Sequence, residues 1–148
     1  MILISHRGNI HGKQPTLENH PTHIQRALAH NFDVEIDVWY DKGWWLGHDG
    51  PEYKTDMNFL ENRRFWIHCK NIAALTYLQP TKLNYFWHEE DSYTLTSHGY
   101  IWAYPNEMAM AGGNSIAVMP EIHNTDVNLF TGICSDNIMK YYYETRPV

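Results

Sequence analysis

Cysteine is scarce in this 148-residue chain: Cys69 and Cys134 are the only two, too few for a disulfide framework and without the paired spacing of a structural zinc site. Both are expected to be reduced thiols of a cytoplasmic protein. Positive charge is scarce too. The 11 Lys and Arg are scattered among 17 Asp and Glu, for a formal net charge of -6, so the basic stripe that binds nucleic acid or an anionic membrane is missing. No apolar run approaches the roughly 18 residues of a membrane span, which excludes an integral membrane segment of that kind. The opening Met1-Ile2-Leu3-Ile4 stretch is too short for a signal peptide. No repeat or linker divides the chain, and its length fits one domain over residues 1–148.

Histidine and aromatic residues, by contrast, are plentiful. With 43% hydrophobic and 19% charged residues the chain can bury a core, and its 6 Trp and 10 Tyr supply much buried area for a small fold. The 10 His call for a chemical explanation, since imidazole titrates near neutrality and is the commonest metal ligand.

Strand-like stretches recur at Ile2 to Ser5, Asp33 to Tyr40, Trp44 to Gly47, Phe65 to Lys70, Leu83 to His88, Tyr100 to Tyr104, Ser115 to Pro120 and Gly132 to Ser135. Helical patterns lie between several of them: Pro21 to His30, Asp56 to Arg63 capped by Thr55, and Ile72 to Gln79 capped by Asn71, with short turns at Glu107 to Ala111 and Asp126 to Phe130. This alternation predicts an α/β fold with parallel pairing. Glu35 to Asp49 reads as a hairpin around Asp41-Lys42-Gly43. A two-residue loop sets Asp37 opposite His48, and a three-residue loop moves His48 by one position.

Because side chains alternate along a strand, Asp33, Glu35, Asp37 and Trp39 share one face, and Val34, Ile36 and Val38 the other. Carboxylates at i and i+2 make a hard-oxygen site suited to a divalent cation. Three further strand ends offer polar groups: Ser5-His6-Arg7-Gly8-Asn9, Gly47-His48-Asp49, and His68-Cys69-Lys70, with His68 and Lys70 on one face. A His there can move a proton and an Arg can hold a phosphate in bidentate fashion.

Taken in order, His6-Arg7-Gly8, Glu18-Asn19, Glu35-Ile36-Asp37-Val38, Asp41-Lys42-Gly43 and His48-Asp49 resemble the N-terminal signature of the glycerophosphodiester phosphodiesterases. That family belongs to the phospholipase C-like phosphodiesterases. The resemblance is close over residues 3–49. It continues more faintly through His68 to Lys70 and through Gly132-Ile133-Cys134-Ser135-Asp136. It implies a TIM-type (β/α) barrel with its active site at the C-terminal ends of the strands. It implies Glu35 and Asp37 as ligands of magnesium or calcium, His6 and His48 as the acid/base pair, and Arg7 and Lys70 as phosphate contacts. The implied reaction is hydrolysis of a small phosphodiester, such as a glycerophosphodiester or a lysolipid head group, by way of a cyclic phosphate.

Two departures from the family pattern stand out. The family carries a carboxylate two positions before the strand-end Lys, where this chain has His68. His68 as third ligand shifts the preference toward manganese, iron or zinc; alternatively Glu90 or Glu121 supplies an oxygen and His68 lines the pocket. Typical barrels also need about 250 residues, so a compact barrel with shortened or missing helices is expected, and a homo-oligomer could cover an exposed face. His88, Glu90 and His123 read as solvated loop residues, Trp102 and Tyr104 as core, and Cys69 as no nucleophile. Two other functions fit less of this pattern: a non-catalytic barrel that binds a phosphorylated ligand, and an amidohydrolase, whose usual paired His on the first strand is replaced by His6-Arg7-Gly8.

Overall fold

The computed structural model describes residues 1–105, 107 and 113–146. Ten strands form one mixed sheet: β1 (Ile2–His6), β2 (Asp33–Tyr40), β3 (Trp44–Leu46), β4 (Tyr53–Thr55), β5 (Phe65–Cys69), β6 (Tyr85–Trp87), β7 (Tyr93–Leu95), β8 (Ile101–Ala103), β9 (Ser115–Val118) and β10 (Gly132–Ser135). Among the described residues there are four α-helices: α1 (Pro21–Ala29), α2 (Met57–Leu60), α3 (Ile72–Leu78) and α4 (Ile138–Thr145).

Seven strands run parallel in the spatial order β6-β5-β2-β1-β10-β9-β8. Chain neighbours are therefore sheet neighbours, with β10 returning beside β1. Ladder pairing does not join β6 to β8, so the sheet is not closed by backbone hydrogen bonds into a barrel. Yet its two ends meet through side chains. Phe86 on β6 and Trp102 on β8 lie 4.9 Å apart between ring centroids, and Trp66 on β5 lies 5.8 Å from Trp102. The sheet is rolled, with β7 antiparallel to β8 near the seam. There Thr94 Oγ1 donates to the Trp87 carbonyl, and Ser97 bridges Tyr85 through its backbone N–H and hydroxyl.

Strand alternation divides the core into two layers. Inside the roll, Ile4, Trp66, Phe86, Trp102, Ile116, Val118 and Cys134 pack together. β2 adds no apolar side chain to that inner cluster: its alternate positions are Asp33, Glu35 and Asp37, and the fourth, Trp39, lines the cavity instead. Its other face, Val34, Ile36 and Val38, is fully buried against the helices, as the alternation predicts. Ile24 and Ala27 of α1, Leu60 of α2, Ala74 and Leu78 of α3, and Ile138 and Tyr141 of α4 complete this outer layer.

The local signals explain the element ends. Pro21 opens α1, Asn71 caps α3 through Ala74 N–H at 3.0 Å, and the same amide bonds the backbone of Tyr40, tying the end of β2 to α3. The α2 cap is Asp56, not Thr55, and the helix ends at Leu60, three residues before Arg63. Asp126 to Phe130 makes a single 3-10 turn over Val127–Leu129. The expected turn at Glu107 to Ala111 lies largely outside the described residues. The hairpin uses the three-residue loop, with Tyr40 paired to Trp44 and Val38 to Leu46, so Asp37 and His48 are not cross-strand partners. β4, β7 and α4 carried no clear sequence signal.

Candidate active site

The parallel strands all present their C-terminal ends to one side of the sheet, and the candidate residues gather there. β1 ends at His6 and turns sharply through Arg7 (φ 54°) and Gly8 (φ 91°). A Cβ at Gly8 would come within 2.7 Å of the His23 ring, so only glycine fits beneath α1. β2 carries Glu35 and Asp37, β5 carries His68 and leads into Lys70, and β10 leads into Asp136. A cavity of about 460 Å³ is lined by His6, Arg7, Glu35, His48, His68 and Lys70, bringing together six of the seven residues expected from the sequence. The seventh, Asp37, is fully buried in the wall just behind them.

Glu35, Asp37 and His68 each place a ligand atom within 4.8 Å of the others, so this buried cluster could hold a metal ion. Its hydrogen bonding points the same way. His68 Nε2 lies 3.1 Å from the His88 carbonyl oxygen, which can only accept, so Nε2 carries a proton. Nδ1 then faces Asp37 Oδ1 at 3.3 Å and Glu35 Oε1 at 3.9 Å. A neutral imidazole would set a bare lone pair against carboxylate oxygens. Asp37 Oδ1 and Glu35 Oε2 are moreover buried acceptors without a hydrogen-bond partner, which is costly unless something positive lies among them. The donor set therefore fits a divalent cation.

The surrounding charges hold the two acids in different states. Burial, and then the neighbouring Asp37, push the Glu35 carboxyl up to about 7. Burial acts on Asp37 as well, but the neighbouring His68 and the Arg7 charge outweigh it and hold Asp37 far below the usual carboxylate range. Asn19 clasps Asp37 twice, accepting from its backbone N–H at 2.9 Å and donating to Oδ2 at 2.8 Å, while Arg7 Nε stands 3.0 Å from that same oxygen.

A stability consequence follows. A carboxyl whose folded pKa lies above its unfolded value near 4.5 destabilises the fold progressively as pH rises through that window, because the unfolded state ionises first. Chelator-treated protein is expected to lose stability between about pH 4.5 and about 7, relative to Glu35→Gln, with the difference levelling above that range. Denaturant midpoints for both proteins across this range check it, and a pH-independent difference would refute it.

His6 and His48 share a second arrangement, in which each ring meets an aspartate through Nδ1. His6 Nδ1 donates to Asp136 Oδ1 at 2.7 Å, and His48 Nδ1 lies 2.7 Å from Asp49 Oδ1. This leaves Nε2 of His6 free of that bond, 3.8 Å from Glu35 Oε2. Burial alone would lower the His6 pKa, but the Asp136 bond and the Glu35 charge raise it above its ordinary value. The two dyads differ in exposure: the His6 side chain is 15% exposed and the His48 side chain 41%.

Several expectations are corrected. Glu121 is no metal ligand: it accepts from Ser135 Oγ at 2.8 Å and Tyr141 OH at 3.4 Å, and lines a separate cavity. Glu90 does not line the main cavity, whereas His88 does, stacked on Tyr104 at 3.8 Å, and Trp102 belongs to both the core and the cavity wall. Cys69 is buried and its thiol is pushed up to about 12 by burial, which suits no nucleophile. Asp136, Asn9 and Asn19 were not foreseen as site residues. The available signal for Asp136 was its place directly after a strand, like Lys70. Comparison of the chain with protein-family models, with curated proteins and with solved structures found no match.

Proposed function

We propose that this chain is a metal-dependent phosphodiesterase of the glycerophosphodiester type, acting on a small phosphodiester. The observation that carries this reading is the convergence on one cavity of a buried acid–acid–imidazole donor set, with two orphaned carboxylate oxygens, and two His–Asp pairs. The rolled parallel sheet, with helices after β1, β5 and β10, is read as a compact (β/α) barrel. In it β7 takes the place of a strand-to-strand ladder at one seam, and the 3-10 turns between β9 and β10 replace a helix. The two free, buried cysteines accord with a cytoplasmic location. No helix among the described residues is long and apolar enough to cross a membrane.

A divalent cation held by Glu35, Asp37 and His68 would supply Lewis-acid stabilisation of charge on a phosphoryl oxygen. The resemblance suggests magnesium or calcium, and the imidazole donor favours manganese, iron or zinc. His6 accepts the proton of an attacking hydroxyl at Nε2, with Asp136 steadying the resulting imidazolium. His48 donates a proton to the leaving alkoxide, and Arg7 and Lys70 face the phosphate oxygens. With bis(p-nitrophenyl) phosphate as substrate, chelation is expected to abolish turnover and added divalent cation to restore it. Full activity after exhaustive chelation would end the metal assignment, and the absence of turnover with every cation, on this ester and on a glycerophosphodiester whose free hydroxyl neighbours the phosphate alike, would end the hydrolase reading.

A further inference from the structure

Asn9 lies in the turn just after His6 and is fully buried. All four hydrogen-bonding positions of its carboxamide are used. Nδ2 donates to Asp136 Oδ1 at 2.8 Å and to Glu18 Oε1 at 3.1 Å, while Oδ1 accepts from His23 Nε2 at 3.0 Å and Gln14 N–H at 3.3 Å. Two carboxylates on one amide nitrogen leave its orientation without an alternative, because a flipped amide would set its oxygen against both acids.

These acids serve opposite arms of the site. Asp136 Oδ1 is also the acceptor for His6 Nδ1. Glu18 Oε2 accepts from Arg7 Nη1 at 3.1 Å, and Arg7 Nε in turn pairs with Asp37. The amide therefore closes a continuous chain of polar contacts from His6 through Asp136, Asn9, Glu18 and Arg7 to Asp37. The chain begins in the turn after β1, where Ser5 Oγ donates to the Asn9 carbonyl at 2.8 Å and Asn9 N–H to the His6 carbonyl at 2.9 Å. His23, on α1, anchors the other side of the amide.

We infer that Asn9 is a positioning residue that acts through Asp136, holding its carboxylate where it selects the Nδ1–H tautomer of His6 and so keeps Nε2 bare toward the cavity. This rests on the phosphodiesterase reading for its kinetic consequence but not for its structural one. Without the Asn9 donor, Asp136 Oδ1 keeps only His6, and the carboxylate is free to turn toward water. Supporting groups of this kind change rate by about 10–100-fold when removed.

The test uses the full chain with saturating magnesium. In Asn9→Leu, kcat on bis(p-nitrophenyl) phosphate is expected to fall about 10–100-fold. Asp136→Asn should lose at least as much, and Asn9→Leu added to Asp136→Asn should cost nothing further. Losses that multiply would mean that Asn9 acts independently of Asp136 and would overturn the inference. Nitrogen-15 spectra of the His6 ring give a readout independent of turnover: one Nδ1–H tautomer in the parent protein, a mixture in Asn9→Leu. An unchanged tautomer overturns the inference whether or not the protein is active. A changed tautomer in a chain without turnover overturns the phosphodiesterase reading alone. Should Asn9→Leu fail to fold, Asn9→Ala, which leaves room for water beside Asp136, is read in the same way.

Discussion

Alanine at His6 is expected to lower turnover of bis(p-nitrophenyl) phosphate by about 10²–10⁴-fold, the range supplied by a positioned acid or base, while the protein stays folded. The reason lies in how the ring is held. Nδ1 is committed to Asp136, and Nε2 faces the cavity beside Glu35. Folding survives because Asp136 retains its bond from Asn9 and because His6 contributes nothing to the hydrophobic clusters. His48→Ala is expected to cost less, below that range, since nitrophenolate leaves without needing a proton and the half-exposed ring can be partly replaced by solvent. Rates measured beside circular dichroism and thermal unfolding decide the matter. An active, folded His6→Ala protein would remove His6 from the chemistry, and a larger loss at His48 would reverse the order of the two.

Asp37→Asn is expected to abolish the thermal stabilisation conferred by divalent cation. In the parent protein, cation at about 100 times its Kd stabilises the fold by about 2.7 kcal/mol, which for a chain of this size is roughly 5–10 °C in Tm. Asparagine preserves the shape of the side chain and can keep its bonds with Asn19, but it replaces the orphaned anionic oxygen facing His68 with a neutral group. It also removes one of the two charged partners of the Arg7 guanidinium, leaving Glu18, and the negative neighbour that raises Glu35. Melting curves with cation and with chelator should then coincide for the variant while remaining apart for the parent. A cation-dependent shift that persists in Asp37→Asn would place the metal elsewhere. Running the parent with magnesium, calcium, manganese and zinc in turn ranks the cations and tests what His68 adds to the two acids.

Much of the architecture was legible one strand at a time. Apolar alternation marked eight of the strands, and Val34, Ile36 and Val38 against Glu35 and Asp37 predicted which face of β2 meets the helices and which faces the site. Pro21, Asn71 and the strand-end positions of His6, His68 and Lys70 were equally readable, because each depends on neighbours within a few residues. The short β4 and β7 were not, since three-residue strands with mixed faces carry too little periodicity to stand out. α4 was missed for a different reason: its tyrosine-rich sequence has no strong cap, and it forms by packing Ile138 and Tyr141 onto the outer core.

From the order of its residues alone, the protein was committed to an α/β fold with two acids on one strand face and histidines at the strand ends, because local periodicity dictates where a side chain points. Tertiary structure alone decided which of those groups meet. The register of the β2–β3 hairpin moved His48 away from Asp37, β10 brought Asp136 to His6 across 130 residues, and the turn after β1 folded Asn9 beneath both arms of the site. Glu121, equally acidic in sequence, was carried instead to Ser135 and Tyr141. Hydrogen-bond partners far apart along a chain leave no periodic trace in it, so the electrostatics of the site came into view only once the sheet had rolled up.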